Sequence, residues 1–139
     1  MGNVLKMKLY ALKMRAKKHA IKYLMDDGFY FRQKGYCPCC EKDVYFESKS
    51  SWLRDYFFCN NCYSIPRERA LMLVVEKYYP NWKNLDIHES SPGNRGASLK
   101  LKNNVSKYIA SQYFPNKPFG SKVENWINQD MENQTFQDE

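Results

Sequence analysis

The chain has 139 residues, a formal net charge of +7, 43% hydrophobic and 16% aromatic residues. That length holds one modest domain, or a small module joined to part of a larger one, and excludes two full domains. The 11 Tyr and 8 Phe exclude a chain that is disordered over most of its length.

The excess charge sits at the start. Residues 1–36 carry nine Lys/Arg against Asp26 and Asp27, whereas residues 37–139 carry thirteen of each sign. Leu5, Leu9, Leu12, Ala16 and Tyr23 fall at helical spacing, and Met7, Tyr10, Met14, Ile21 and Met25 form a second stripe. The pattern predicts an amphipathic helix over 3–25 with basic borders. No run reaches the roughly 18 apolar residues of a bilayer span, and lysines interrupt MGNVLKMKLY, so a cytoplasmic protein is expected. Gly2 is not read as a myristoylation site, because Lys6 stands where that motif needs Ser or Thr.

Residues 36–63 form a cysteine-bearing unit with strand-like VYFES (44–48) and WLRDYFFC (52–59). Cys37-x2-Cys40 and Cys59-x2-Cys62 have the spacing of a four-cysteine zinc site on two tight turns, and a full set of four thiolates makes the zinc structural. Two disulfides or inert thiols are the alternatives. Cys39 is the spare thiol. Lys42, Lys49, Arg54, Trp52 and Tyr56 interleave charge with aromatics, as a nucleic-acid surface would, but Glu41, Asp43, Glu47 and Asp55 cancel the field. Nucleic acid is therefore the secondary partner reading.

Pro66 then opens a helix that runs through RERALMLVVEKYY to Pro80. From Trp82 the texture becomes strand (84–88), loop (89–96), helix (97–105), strand (107–114), connection (115–121) and strand-like run (123–129). Alternation of this kind predicts an α/β fold with a parallel sheet. The expected segments are a basic helix (1–35), a zinc ribbon (36–64), a linking helix (65–81) and a partial Rossmann-like domain (82–139).

CPCC…CNNC, RERAL, LDIHESSPGNRGAS, YIASQYFP and QDMENQTFQDE, in that order, resemble the start of a class I S-adenosylmethionine-dependent methyltransferase that carries an N-terminal zinc ribbon. The resemblance covers about residues 37–139. It implies that S-adenosylmethionine binds at the LDIHESSPG loop, with Asp86 matching the acid of the family's first motif. His88 and Ser90 stand where glycines are usual. Glu89 would reach the cofactor's ammonium group, with Gly93 and Gly96 supplying backbone freedom. Gln112 takes the place of the ribose-binding acid, and Asp130 with Met131 matches the adenine-binding pair. Taken singly, Asp86 also reads as a strand acid, and Asp130 as a turn cap.

A complete domain of this class continues with a fourth strand, so the sheet is expected to be incomplete, with a completing chain or a homo-oligomer as partner. The methyl acceptor and the catalytic residues are not legible. The alternative function is a non-catalytic zinc-ribbon module that docks nucleic acid or an acidic protein through its basic N-terminal helix.

Overall fold

A cluster of four thiols drawn from two turns needs short strands to carry the turns together, and the N-terminal sheet supplies them. The computed structural model describes residues 28–137, so the basic helix expected over 3–25 lies outside the described residues. Strand β1 (Phe31–Cys37) pairs antiparallel with β2 (Lys42–Ser48), Phe31 opposite Ser48 and Cys37 opposite Lys42. A short β3 (Phe58–Cys59) adds to β2 with Phe46 opposite Cys59.

Two expectations change here. β1 begins within the span assigned to the basic helix, and it gave no strand signal because Phe31 to Lys34 are all exposed and have no apolar alternation. Its ladder with β2 holds it. The strand expected over 52–59 is instead a helical turn, α1 (Leu53–Tyr56), followed by β3. Aromatic residues raise strand propensity, yet the Trp52 indole N–H donates to Asp55 at 3.0 Å and the Trp52 amide to the Ser50 hydroxyl at 3.2 Å. These local bonds close the chain on itself and override propensity.

Helix α2 (Pro66–Tyr78) starts with proline in its first turn, and the Glu68 carboxylate accepts the Ile65 amide at 2.9 Å. This is the glutamate half of a capping box, since Ile65 has no side-chain acceptor. A 3-10 turn (Trp82–Asn84) leads into β4 (Asp86–Ser90), α3 (Gly96–Asn104), β5 (Lys107–Gln112), β6 (Lys122–Val123) and β7 (Trp126–Asn128). The strand order is β4-β5-β7-β6. β4, β5 and β7 are parallel, as the alternation predicts, and only β6 runs antiparallel, to β7. The run expected over 123–129 is thus a small β6-β7 hairpin.

The main core lies where the ribbon, α2 and α3 meet, with Val44, Phe46, Met72, Trp82, Ala97 and Leu101 buried beside Cys37 and Cys59. Lys100 is 6% exposed and reaches out of α3 to join all three parts. Its ammonium donates to the Pro38 carbonyl at 2.7 Å, pairs with Glu41 at 2.6 Å, and pairs with Glu76 of α2. Burial works against its charge, but the hydrogen bonds to Glu41 and Glu76 outweigh it and hold the pKa above the ordinary lysine value.

Gly96 closes the same seam. Its φ is +52°, and a Cβ there would stand 2.5 Å from Glu68 Oε2 and 2.9 Å from Ser64 Cβ. Gly93 leaves room, its nearest neighbour lying 3.8 Å away. Gly96→Ala is therefore expected to destabilise the fold by about 1–3 kcal/mol and to lower the thermal midpoint by several degrees, while Gly93→Ala leaves it nearly unchanged. Thermal denaturation of both variants checks the pair.

Candidate functional site

Each cysteine pair sits on a turn that repeats the same backbone course. The Glu41 amide donates to the Cys37 carbonyl at 2.8 Å, and the Tyr63 amide donates to the Cys59 carbonyl at 3.0 Å. The residue after each second cysteine is left-handed, Glu41 at φ 55° and Tyr63 at φ 57°. Pairing of β2 with β3 brings the two turns together, and the Sγ atoms of Cys37, Cys40, Cys59 and Cys62 all lie within 4.8 Å of one another.

Zn–S bonds of about 2.3 Å at tetrahedral angles separate sulfurs by about 3.8 Å. Across the two turns, Cys37 and Cys62 are 3.7 Å apart and Cys40 and Cys59 are 3.9 Å apart. The donor set and the spacing both fit a zinc ion. Cys39 is buried at 7% exposure and stands outside this set, as expected of the spare thiol.

Hydrogen-bond donors surround the sulfurs. The amides of Asn61 and Cys62 donate to Cys59 Sγ at 3.4 and 3.5 Å. The Ser64 hydroxyl lies 3.4 Å from Cys37 Sγ and 3.2 Å from Cys62 Sγ. Arg69 of α2 donates to the Ser64 carbonyl at 2.5 Å and to the Phe57 carbonyl at 3.1 Å, and its guanidinium rests 4.2 Å above the Phe46 ring. Burial lowers its pKa from the arginine value, an effect opposed by the neighbouring thiols, so it remains a cation beside them.

The bond with the Cys39 thiol, aided by the Ser64 hydroxyl and the amides of Cys40 and Cys39, draws the Cys37 pKa down to about 3. Burial pushes Cys62 up to about 12 and raises Cys40, while Cys39 is raised first by its bond to Cys37. A divalent ion must displace the protons held by the raised thiols, so its affinity falls as pH is lowered.

Sequence reasoning missed Ser64, Arg69 and Lys100. Lys100 carried a faint signal, because it falls on the α3 stripe marked by Ala97 and Leu101. Ser64 and Arg69 carried none, since only the meeting of the ribbon and α2 gives them their partners.

The residues assigned to a cofactor divide into two groups. Ser90 pairs with Ser111 and Gln112 with Asn128, while the Ser91 amide donates to the Ser111 carbonyl at 2.8 Å and the Gln129 amide to the Gln112 carbonyl at 3.3 Å. Loop 91–95, Gln112 and the 129–131 turn therefore share the carboxyl-terminal edge of the parallel strands. Asp130 Oδ1 accepts the Glu132 amide at 3.0 Å, leaving Oδ2 without a bond within that turn, and Met131 is 57% exposed. Gly93 donates its amide to the Ser98 hydroxyl at 3.0 Å. Glu89 accepts from Ser98 at 2.5 Å and from Tyr108 at 2.6 Å, so both of its oxygens are engaged within the fold.

Asp86 and His88 fall elsewhere. Because β4 starts at Asp86 rather than at 84, this acid is the first residue of the strand, at the amino-terminal end of the sheet, where it pairs with Lys107. His88 points to the face opposite Glu89, as strand alternation requires. Its Nε2 lies 2.7 Å from the Ser111 hydroxyl, and its ring packs 4.6 Å from that of Phe136.

No family model matches the chain, and comparisons with curated proteins and with solved structures find no match. Among the described residues, no helix is long and apolar enough to cross a membrane.

Two outcomes are expected. Cys59→Ser removes a ligand from the buried side of the cluster; bound zinc, measured by atomic absorption, should fall well below one per chain, and chelation of the wild type should lower its thermal midpoint. Burial also depresses the His88 pKa below 6.5. The unfolded chain then binds the proton more readily, so stability falls as pH drops from 6.5 towards the folded-state pKa. Denaturant titrations at pH 7 and pH 5.5 should show that slope reduced in His88→Gln.

Proposed function

We propose that the chain is a zinc-ribbon methyltransferase domain whose parallel strands belong to a Rossmann-like sheet that binds S-adenosylmethionine. The observation that carries this reading is the placement of loop 91–95, Gln112 and Asp130 on one carboxyl-terminal edge of β4, β5 and β7. Nucleotide ligands in open α/β folds bind at that edge, where strand-to-helix loops present backbone N–H groups.

The donor chemistry at the edge suits the cofactor. Asp130 Oδ2 accepts from an exocyclic amine, and the Gln112 amide offers one acceptor and two donors to ribose hydroxyls. Loop 91–95 presents the methionine end with main-chain groups, held by the Arg95–Glu68 pair at 3.2 Å. Glu89 acts on this loop through Ser98 rather than on an ammonium group directly. Asp86 has no part in the reading.

When bound, S-adenosylmethionine supplies an electrophilic methyl group on a sulfonium. The residues of this chain hold the cofactor in position, and positioning supplies much of what methyl transfer needs. The ribbon, with its structural zinc, supports the loop from behind through Ser64, Glu68 and Gly96.

Calorimetric titration of the zinc-loaded chain with S-adenosylmethionine tests the proposal. Saturable binding is expected, weakened about tenfold in Asp130→Ala, in keeping with roughly 1.4 kcal/mol for one lost hydrogen bond to a polar partner, and unchanged in Asp86→Asn. Absence of heat with the wild type would overturn the reading.

A further inference from the structure

Three cavities follow one another across the molecule. The first, about 310 Å³, lies in the ribbon and is walled by Tyr30, Tyr56, Phe58 and Tyr63, with Lys49 and Asn60 at its margin. The second, about 460 Å³, lies between the second cysteine turn and α3, and its lining includes Asn61, Asn94, Asn103 and Asn104 with Tyr63 and Arg95. The third, about 380 Å³, lies beside loop 91–95 and again includes Arg95. Tyr63 lines the first two and Arg95 the last two, so the three adjoin in series from the ribbon to the edge of the parallel sheet, and together they are called the groove.

Tyr63 is held at cost to the backbone. Its φ of 57° favours glycine, yet the position carries a tyrosine that is 65% exposed. Tyr56 and Phe58 meet nearly at right angles, 79° between planes and 6.3 Å between centroids, the edge of one ring against the face of the other. The first cavity therefore offers flat aromatic surface, and the second offers amides.

Charge decides what fits. Among the described residues, the three cavities are lined by four acids (Glu41, Glu47, Glu68, Glu89) and four bases (Lys49, Arg67, Arg95, Lys100). Six of these eight are committed to ion pairs: Glu41 with Lys100, Glu47 with Arg32, Glu68 with Arg95, and Arg67 with Asp55. Four thiolates on a divalent ion would add negative charge beneath Asn61 and Cys62. A polyanion gains affinity by pairing its phosphates with unneutralised Lys and Arg, and among the described residues this groove has no surplus of them.

We infer that the groove binds a neutral oligosaccharide chain. Sugar rings present apolar C–H faces, which pack on tyrosine, and rims of hydroxyls that both donate and accept, as an asparagine amide does. The ring-faced cavity and the amide-lined cavity, joined by Tyr63, match that alternation. If the crevice reading above holds, the acceptor belongs to this class; the binding itself does not depend on it.

The test uses the zinc-loaded chain without S-adenosylmethionine, so that its result is separate from the cofactor titration. Neutral hexasaccharides of β-1,4-glucose, N-acetylglucosamine, mannose, xylose and galactose are titrated against the ¹⁵N-labelled protein, beside an oligothymidylate and an oligouridylate. At least one hexasaccharide should shift asparagine side-chain amides saturably, with an affinity that changes less than about twofold between low and high salt. Tyr63→Gly suits the left-handed backbone, so it should keep its zinc and its thermal midpoint while losing about tenfold or more in affinity; Tyr30→Ala, away from the metal turns, should weaken binding as well. No saturable shift with any hexasaccharide, retention of full affinity in both variants, or binding of the oligonucleotides alone with steep salt dependence would overturn the inference.

Discussion

The approach of two cysteine turns to within one coordination sphere is the constraint from which the rest of the ribbon follows. Strand β2 is central in its sheet because both turns must hang from it: Cys37 ends β1 opposite Lys42, and Cys59 ends β3 opposite Phe46. So small a sheet buries few apolar side chains, and a metal held by the four thiolates would supply folding energy that its core does not. Ser64 and Arg69 then settle the exit from the second turn, one touching two sulfurs and the other holding the Ser64 carbonyl.

The same geometry is carried outward into the α/β part. Lys100 bonds the first turn through Pro38 and Glu41, and Glu68 packs where only a glycine fits at residue 96, the start of α3. Both groups are charged, yet each is well partnered, Glu68 by the Ile65 amide and Arg95, which is the condition under which buried charge is tolerated. They fix the start of α3 relative to the metal turns. A helix start fixed in this way also fixes loop 91–95, because Ser98 in its first turn binds both Gly93 and Glu89.

The cysteine set was legible because its chemistry needs a fixed spacing, and the parallel order of β4, β5 and β7 because strand and helix signals alternate. Other parts were hidden for separate physical reasons. β1 depends on cross-strand pairing that no local pattern announces. WLRDY reads as a strand by propensity, but Trp52 finds its partners three residues ahead and two behind. Asp86 resembled a motif acid, but the start of β4, two residues later than expected, decided which end of the sheet it occupies. Ser64, Arg69 and Lys100 acquire their roles only from residues distant in sequence.

The paired turns have a consequence for how this surface can change. Glu41 and Tyr63 occupy equivalent left-handed positions, anchored by the same backbone bond to the cysteine four residues earlier. One side chain, itself exposed, pairs with the buried Lys100, and the other extends into solvent. Coordination would use the sulfurs alone, so the identity of the residue at either position is uncoupled from the four-thiol cluster. Such a turn acts as an interchangeable mount: a change of side chain at residue 63 alters the outer face while the four sulfurs and the strands beneath them stay as they are.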